Sequence, residues 1–131
     1  MKGKSCKNKK AKPRGQAALE FAITMPFFIL VIFGIFETSR LMYTKHMIDL
    51  AAREGARAGV IMVNAGDATT TAQNITNNLL AARNLNAVVS ATIESVSGIN
   101  AVKVVANYTY QPTRVFPAVT LTSIAVMRKE G

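Results

Sequence analysis

Between Glu20 and Glu37 the chain reads Phe21-Ala-Ile-Thr-Met-Pro-Phe-Phe-Ile-Leu-Val-Ile-Phe-Gly-Ile-Phe36, with no charge and with Thr24 as its single polar side chain. Carried back to Ala17, the stretch is twenty residues long and Glu20 is its only charge. At about 1.5 Å per residue, twenty helical residues cover roughly the 30 Å hydrocarbon core of a bilayer. The run therefore predicts a transmembrane helix over residues 16–37. A helix that is apolar on every face could otherwise serve only as the buried centre of a larger soluble domain, which 131 residues cannot supply. A cleaved secretory signal is the other alternative, because a basic start followed by an apolar run is its pattern. Against it stand the length of the run, the lack of a small-x-small site in Phe36-Glu-Thr-Ser-Arg40, and a helical periodicity that continues past Arg40.

The charge balance sharpens this reading. The chain carries a formal +9, and a nucleic-acid binder would spread such a charge over a folded face. Here Lys2, Lys4, Lys7, Lys9, Lys10, Lys12 and Arg14 gather seven positive charges, with no acid among them, into the first fourteen residues. The rest holds nine basic and seven acidic side chains, a balance of +2. Basic residues collect on the cytoplasmic side of a span, so the N-terminus is expected in the cytoplasm and everything after about Thr38 outside. The lone Cys6 lies in the basic leader, so the fold must stand on packing without an internal disulfide.

An ionised glutamate costs on the order of 3 kcal/mol at the centre of a membrane helix and less near its ends. One reading of Glu20 places it in the first helical turn at the interface, where the positive end of the helix dipole favours a carboxylate. The other uses its surroundings, Lys12-Pro13-Arg14-Gly15-Gln16-Ala17-Ala18-Leu19-Glu20-Phe21. A glycine ends a basic leader, a glutamate follows five residues later, an aromatic comes next, and the apolar helix begins. This resembles the class III or type IV prepilin processing site. The resemblance implies a cut between Gly15 and Gln16 by a membrane aspartyl peptidase, with Glu20 and Phe21 as recognition elements. Gly15 has no side chain to obstruct a narrow cleft, and Pro13 biases the preceding chain toward an extended form. The new amine at Gln16 would lie about one helical turn from Glu20 and could neutralise the carboxylate of an adjacent subunit.

Taken from Gly15 to Arg40, the Ala-Leu-Glu-Phe-Ala start, Pro26 and the Gly34-Ile-Phe-Glu37 exit make this segment similar to the N-terminal signature of the TadE-like family. These are minor pilins or pseudopilins of bacterial tight adherence (Tad, or Flp) pili. Gln16 stands where ordinary type IV pilins carry Phe, and small or polar residues at that position occur in the Tad branch. The resemblance implies as partners the bacterial inner membrane, a prepilin peptidase, the major Flp-type pilin, sister minor pilins and the inner-membrane assembly platform. It also implies a head outside that membrane or in the pilus.

Within the span, Pro26 removes one backbone donor and predicts a kink, and Gly34 offers a point of close helix approach. The helical pattern then persists through Leu41, Ile48, Ala51, Ala52, Gly55, Ala56 and Gly59, with Asp49 and Arg53 as an i,i+4 pair. One long helix ending between Gly59 and Asn64 is expected, its residues 38–63 forming a stalk. The small-residue stripe Ala51-x-x-x-Gly55-x-x-x-Gly59 permits close backbone approach, either to the chain's own sheet or to another subunit. A second helix is expected over 69–83, capped by Asp67 or Thr69, with Ala72, Ile75, Leu79 and Ala82 on one face. Alternation over 87–96, 101–110 and 118–127 predicts three antiparallel strands, with a turn at Ser97-Gly-Ile-Asn100 and a connection from Pro112 to Pro117. The fold class is α+β: a 1–15 leader, a long helix, and a small head over 64–131 that depends on that helix for stability.

No constellation for catalysis emerges. His46 is the only histidine, and Glu37, Asp49, Glu54, Asp67, Glu94 and Glu130 lack the spacing of a metal site or an acid/base pair. The sequence contains no phosphate loop or nucleophile elbow. Neither enzyme activity, cofactor, metal nor small-molecule substrate is expected, and Tyr108 and Tyr110, on one strand face, are expected in the core. Two other readings stay open at this point, a signal-anchored binding module whose head captures a ligand and a type II secretion pseudopilin.

Overall fold

The computed structural model describes residues 14–62, 64–96, 98–112 and 117–128. The expectations for the basic leader before Arg14, for Cys6 and Pro13, and for residues 113–116 lie outside these. Five elements follow in order: α1 (Arg14–Val60), α2 (Ala65–Ala81), β1 (Val88–Val96), β2 (Ile99–Tyr110) and β3 (Val119–Arg128). This is the expected α+β arrangement, with one long helix, one short helix and an antiparallel sheet of order β1-β2-β3.

The chain divides into two units, one ending at Phe36 and the other running from Glu37 to Gly131. In the first, α1 continues through Pro26 without a break, and its apolar side chains from Leu19 to Phe36 face outward on every side, Phe27 and Phe36 each 66% exposed. None of the most apolar window is buried. By length and composition this segment is able to cross a membrane. A helix with no polar face has no soluble solution of its own.

In the second unit, α2 and the part of α1 beyond Glu37 cover one face of the sheet. The alternating inner residues Val102, Val104, Ala106 and Tyr110 of β2 and Leu121, Ser123 and Ala125 of β3 are buried, as a half-covered sheet requires. Beneath them sit two clusters. One is alanine-rich, joining Ala52 and Ala56 of α1 to Ala68 and Ala72 of α2 and to Ala91, Val102, Val104 and Ala125 of the sheet. The other joins Ile48, Ala51, Leu80, Ala106, Tyr110 and Leu121. On the outer face Lys103 pairs with Glu94 at 3.1 Å across β1 and β2, and Thr122 donates to Asn107 Oδ1 at 2.8 Å across β2 and β3.

Two expectations for α2 are corrected. It begins at Ala65 behind an extended Asn64, so neither Asp67 nor Thr69 is its N-cap. Asn64 makes no side-chain cap bond; its Nδ2 donates instead to Asp67 Oδ2 at 3.2 Å, with Asp67 in the first turn where the helix dipole suits it. The buried line is Ala68, Ala72, Thr76 and Leu80, whereas Leu79 is 38% exposed. Of the expected face Ala72 is buried, and Leu80 rather than Leu79 is the leucine that turns inward. After the helix, Asn84 takes the left-handed conformation (φ 56) that turns the chain toward β1. Gly98 (φ 79) does the same between β1 and β2, where a side chain would be strained.

Candidate functional site

The residues expected to direct processing all lie on α1. Helix begins at Arg14, so the Gly15–Gln16 bond is in its first turn, and Gly15, Gln16, Glu20 and Phe21 are all exposed. Glu20 is therefore in the second turn; the first turn holds no acid. This removes the reading of Glu20 as a first-turn dipole partner in the uncut chain, because the helix starts six residues before it. Its backbone carbonyl accepts a hydrogen bond from Thr24 Oγ1. A Cβ on Gly15 or on Gly34 would meet nothing within 4 Å, so the chain's own packing demands glycine at neither position.

The stripe Ala51, Gly55 and Gly59 has a different setting. All three are buried: Gly55 faces α2, Gly59 faces α2 and Val102 of β2, and Ala51 joins the cluster of Leu80 with Ala106, Tyr110 and Leu121 of the sheet. A Cβ on Gly55 would fall 1.9 Å from Thr76 Oγ1 and 2.7 Å from the Ala72 carbonyl oxygen. One on Gly59 would fall 2.8 Å from the Ala68 carbonyl and 3.1 Å from Val102 Cγ1. Thr76 is fully buried; its hydroxyl donates to the Ala72 carbonyl at 2.7 Å and sits 3.4 Å from that of Ala51. The stripe is the seat of α2.

Sequence reasoning missed a polar cluster where the second unit begins. Glu37, only 9% exposed, accepts a hydrogen bond from Tyr110 Oη at 2.8 Å, and Arg40 Nη1 approaches its other oxygen at 3.9 Å. Burial, the bond to Glu37 and the nearby carboxylate charge together raise the Tyr110 hydroxyl above its ordinary value, against the weaker pull of Arg40. The local signal was an acid closing an apolar run, but its partner lies 73 residues away. One turn and more along α1, Lys45 Nζ donates to Asp49 Oδ1 at 2.9 Å and to the Thr122 carbonyl of β3 at 2.6 Å.

Asp49 was expected to pair with Arg53, but Lys45 is its ion-pair partner, with Arg53 contributing only a more distant charge. Desolvation pushes this carboxyl upward. Hydrogen bonds from Lys45 and Ser123 and the charges of Lys45 and Arg53 outweigh that push, leaving it below its ordinary 3.8. A depressed acid stabilises the fold above its unfolded value, and the contribution disappears as pH falls through the folded value. Asp49→Asn is thus expected to destabilise the solubilised protein by about 0.5–1 kcal/mol near neutrality and by progressively less in acid, as pH falls below 3.8 through the lower folded value. Thermal melts of both chains across this pH range check this; an equal deficit throughout would exclude the ionised carboxylate as the cause.

His46 is exposed, and among the described residues no three His, Cys, Asp or Glu side chains cluster as a metal ion would require. Residues 15–57 match the family model of TadE-like proteins. The matched segment opens at Gly15 and reaches past Gly55 on the buried stripe. No curated protein and no solved structure matches the chain.

Proposed function

We propose, from the TadE-like match over residues 15–57, that this chain is a minor pilin or pseudopilin that takes part in assembly of a tight adherence, Flp-type pilus. A prepilin peptidase removes residues 1–15, and the protein stands in the bacterial inner membrane with its N-terminus cytoplasmic and its folded unit outside. The major Flp-type pilin, sister minor pilins and the inner-membrane assembly platform are its partners. The observation that carries this reading is the coincidence of the family match with an apolar helix exposed on all sides directly behind the Gly15 to Glu20 motif. Such a helix needs lipid before assembly and neighbouring helices afterwards, and without a hydrophobic drive in lipid those helices associate through shape and small residues. A tether for an independent ligand-binding head needs length and hydrophobicity alone.

That difference supplies the test. Exchanging residues 22–36 for an unrelated apolar helix of equal length, with the motif through Phe21 kept, is expected to leave the protein processed and in the membrane but to abolish pili. Electron microscopy of a strain lacking the native gene reads the outcome. Normal piliation with the exchanged helix would overturn the assembly role and favour a tethered binding module.

A further inference from the structure

The buried line of α2 is Ala68, Ala72, Thr76 and Leu80. A second apolar line on the same helix, Ile75, Leu79 and Ala82 at i, i+4 and i+7, is left half-buried or exposed. Beside it α1 presents Met47 and Leu50, and the two helices border an open groove of about 230 Å³ lined by Met47, Leu50, Ala51, Glu54, Leu79 and Arg83. Leu50 is 47% exposed and Leu79 38%. Single exposed leucines are ordinary, but two lining one groove form a patch that a partner can cover. The volume falls below the roughly 300–1,000 Å³ of small-molecule sites. A shallow apolar groove between helices suits another helix surface instead.

The charges at the groove identify which surface. Glu54 on α1 and Arg83 just beyond α2 line it together and are both exposed. Ion pairs among the described residues join Arg40 to Glu37, Lys45 to Asp49 and Lys103 to Glu94, and neither Glu54 nor Arg83 takes part in one. A two-fold axis brings the acid of one copy to the base of the other and, by the same operation, the base to the acid. A groove carrying one sign of charge would repel its own copy; this one carries both.

We propose that the α1–α2 groove is the contact surface for a second copy of this chain, the two helix pairs packed face to face about a two-fold axis. Leu50 and Leu79 of each copy cover the groove of the other, and the unbranched Met47 adapts to the space that remains. Glu54 pairs with the partner subunit's Arg83, and the reciprocal pair forms on the other side of the axis. All of these residues belong to the Glu37–Gly131 unit, and the contact is additional to the assembly role, which does not require this chain to pair with itself.

Charge exchange tests the pairing. Full-length Cys6→Ser, Ala82→Cys protein, labelled at a position that is exposed beside Leu79 and Arg83, is treated in membranes with a short bis-maleimide, and the crosslinked homodimer is read on denaturing gels. Glu54→Arg alone and Arg83→Glu alone are each expected to lower that dimer several-fold, because like charges then meet on both sides of the axis. The double variant should restore it. Co-production of the two single variants under different tags should give the mixed dimer and little of either homodimer. That mixture also excludes misfolding, since a variant that failed to fold could not regain a partner. Rescue in the double variant without rescue in the mixture would place the charge pairing inside one chain and overturn the proposal. A dimer absent from the starting protein, or indifferent to both single substitutions, would overturn it as well. Crosslinks from position 82 to other membrane proteins in place of the homodimer would give the groove to a different chain and overturn the second copy as its occupant.

Discussion

Gly55→Ala, the addition of one methyl group, is expected to destabilise the Glu37–Gly131 unit by about 3 kcal/mol. The new Cβ would stand 1.9 Å from Thr76 Oγ1 and 2.7 Å from the Ala72 carbonyl. Rotating Thr76 does not relieve the hydroxyl contact without loss, because that side chain is fully buried and already bonded within its own helix. The carbonyl belongs to the backbone of α2 and yields only if the helix moves. Interhelical distance here sets the whole alanine-rich cluster of Ala52, Ala56, Ala68 and Ala72, and small side chains cannot refill the gap that a shift opens. Deleting the hydroxyl with Thr76→Ala removes the worse of the two contacts. The double variant should therefore be more stable than the sum of the two single losses by at least about 1 kcal/mol. Denaturant unfolding of the four solubilised chains measures the cycle, and strict additivity would mean that Gly55 and Thr76 do not touch.

The second large effect concerns processing. Gly15→Ala is expected to reduce cleavage by a prepilin peptidase from near completion to a trace. Nothing lies within 4 Å of a Cβ at Gly15, so alanine fits the folded chain without strain. Any loss of cleavage would thus not reflect a clash within the chain's own fold. Two physical effects act in the same direction. The added methyl obstructs a cleft shaped for a bare backbone. It also favours the first turn of α1 by up to about 1 kcal/mol, and the peptidase must unwind that turn to reach the Gly15–Gln16 bond. A Gly15→Ala chain cut as readily as the wild type would remove Gly15 from the recognition site.

The parts of the fold legible in the sequence are those written in local periodicity. The charge-free run and the repeat of Leu41, Ile48, Ala52 and Ala56 give α1, and alternation gives the three strands to within one or two residues at most ends. The small-residue stripe was visible as a packing surface, but what it packs on was not, because spacing shows which residues permit close approach and not what approaches. The face of α2 was misplaced for the same reason. Ile75 and Leu79 share the expected face, yet the residues opposite Gly55 and Gly59 are Ala68, Ala72 and Thr76, and the leucine on that line is Leu80. Asp49 had cations four residues away on both sides, Lys45 and Arg53. β3 decides between them by offering Lys45 a second acceptor at Thr122. The Glu37–Tyr110 bond joins a helix to the end of a strand far along the chain, and only the tertiary fold reveals it. The expected processing motif, Gly15 to Phe21, is a linear pattern, and no contact within the fold bears on it.

The most direct test of the central claim is the intact mass and N-terminal sequence of the wild-type protein after co-production with a prepilin peptidase in membranes. The expected product starts at Gln16 and contains residues 16–131, with precursor persisting when the peptidase is omitted. A protein that still begins at Met1 in the presence of active peptidase, or one cut beyond Phe36 as a secretory signal would be, would contradict the account.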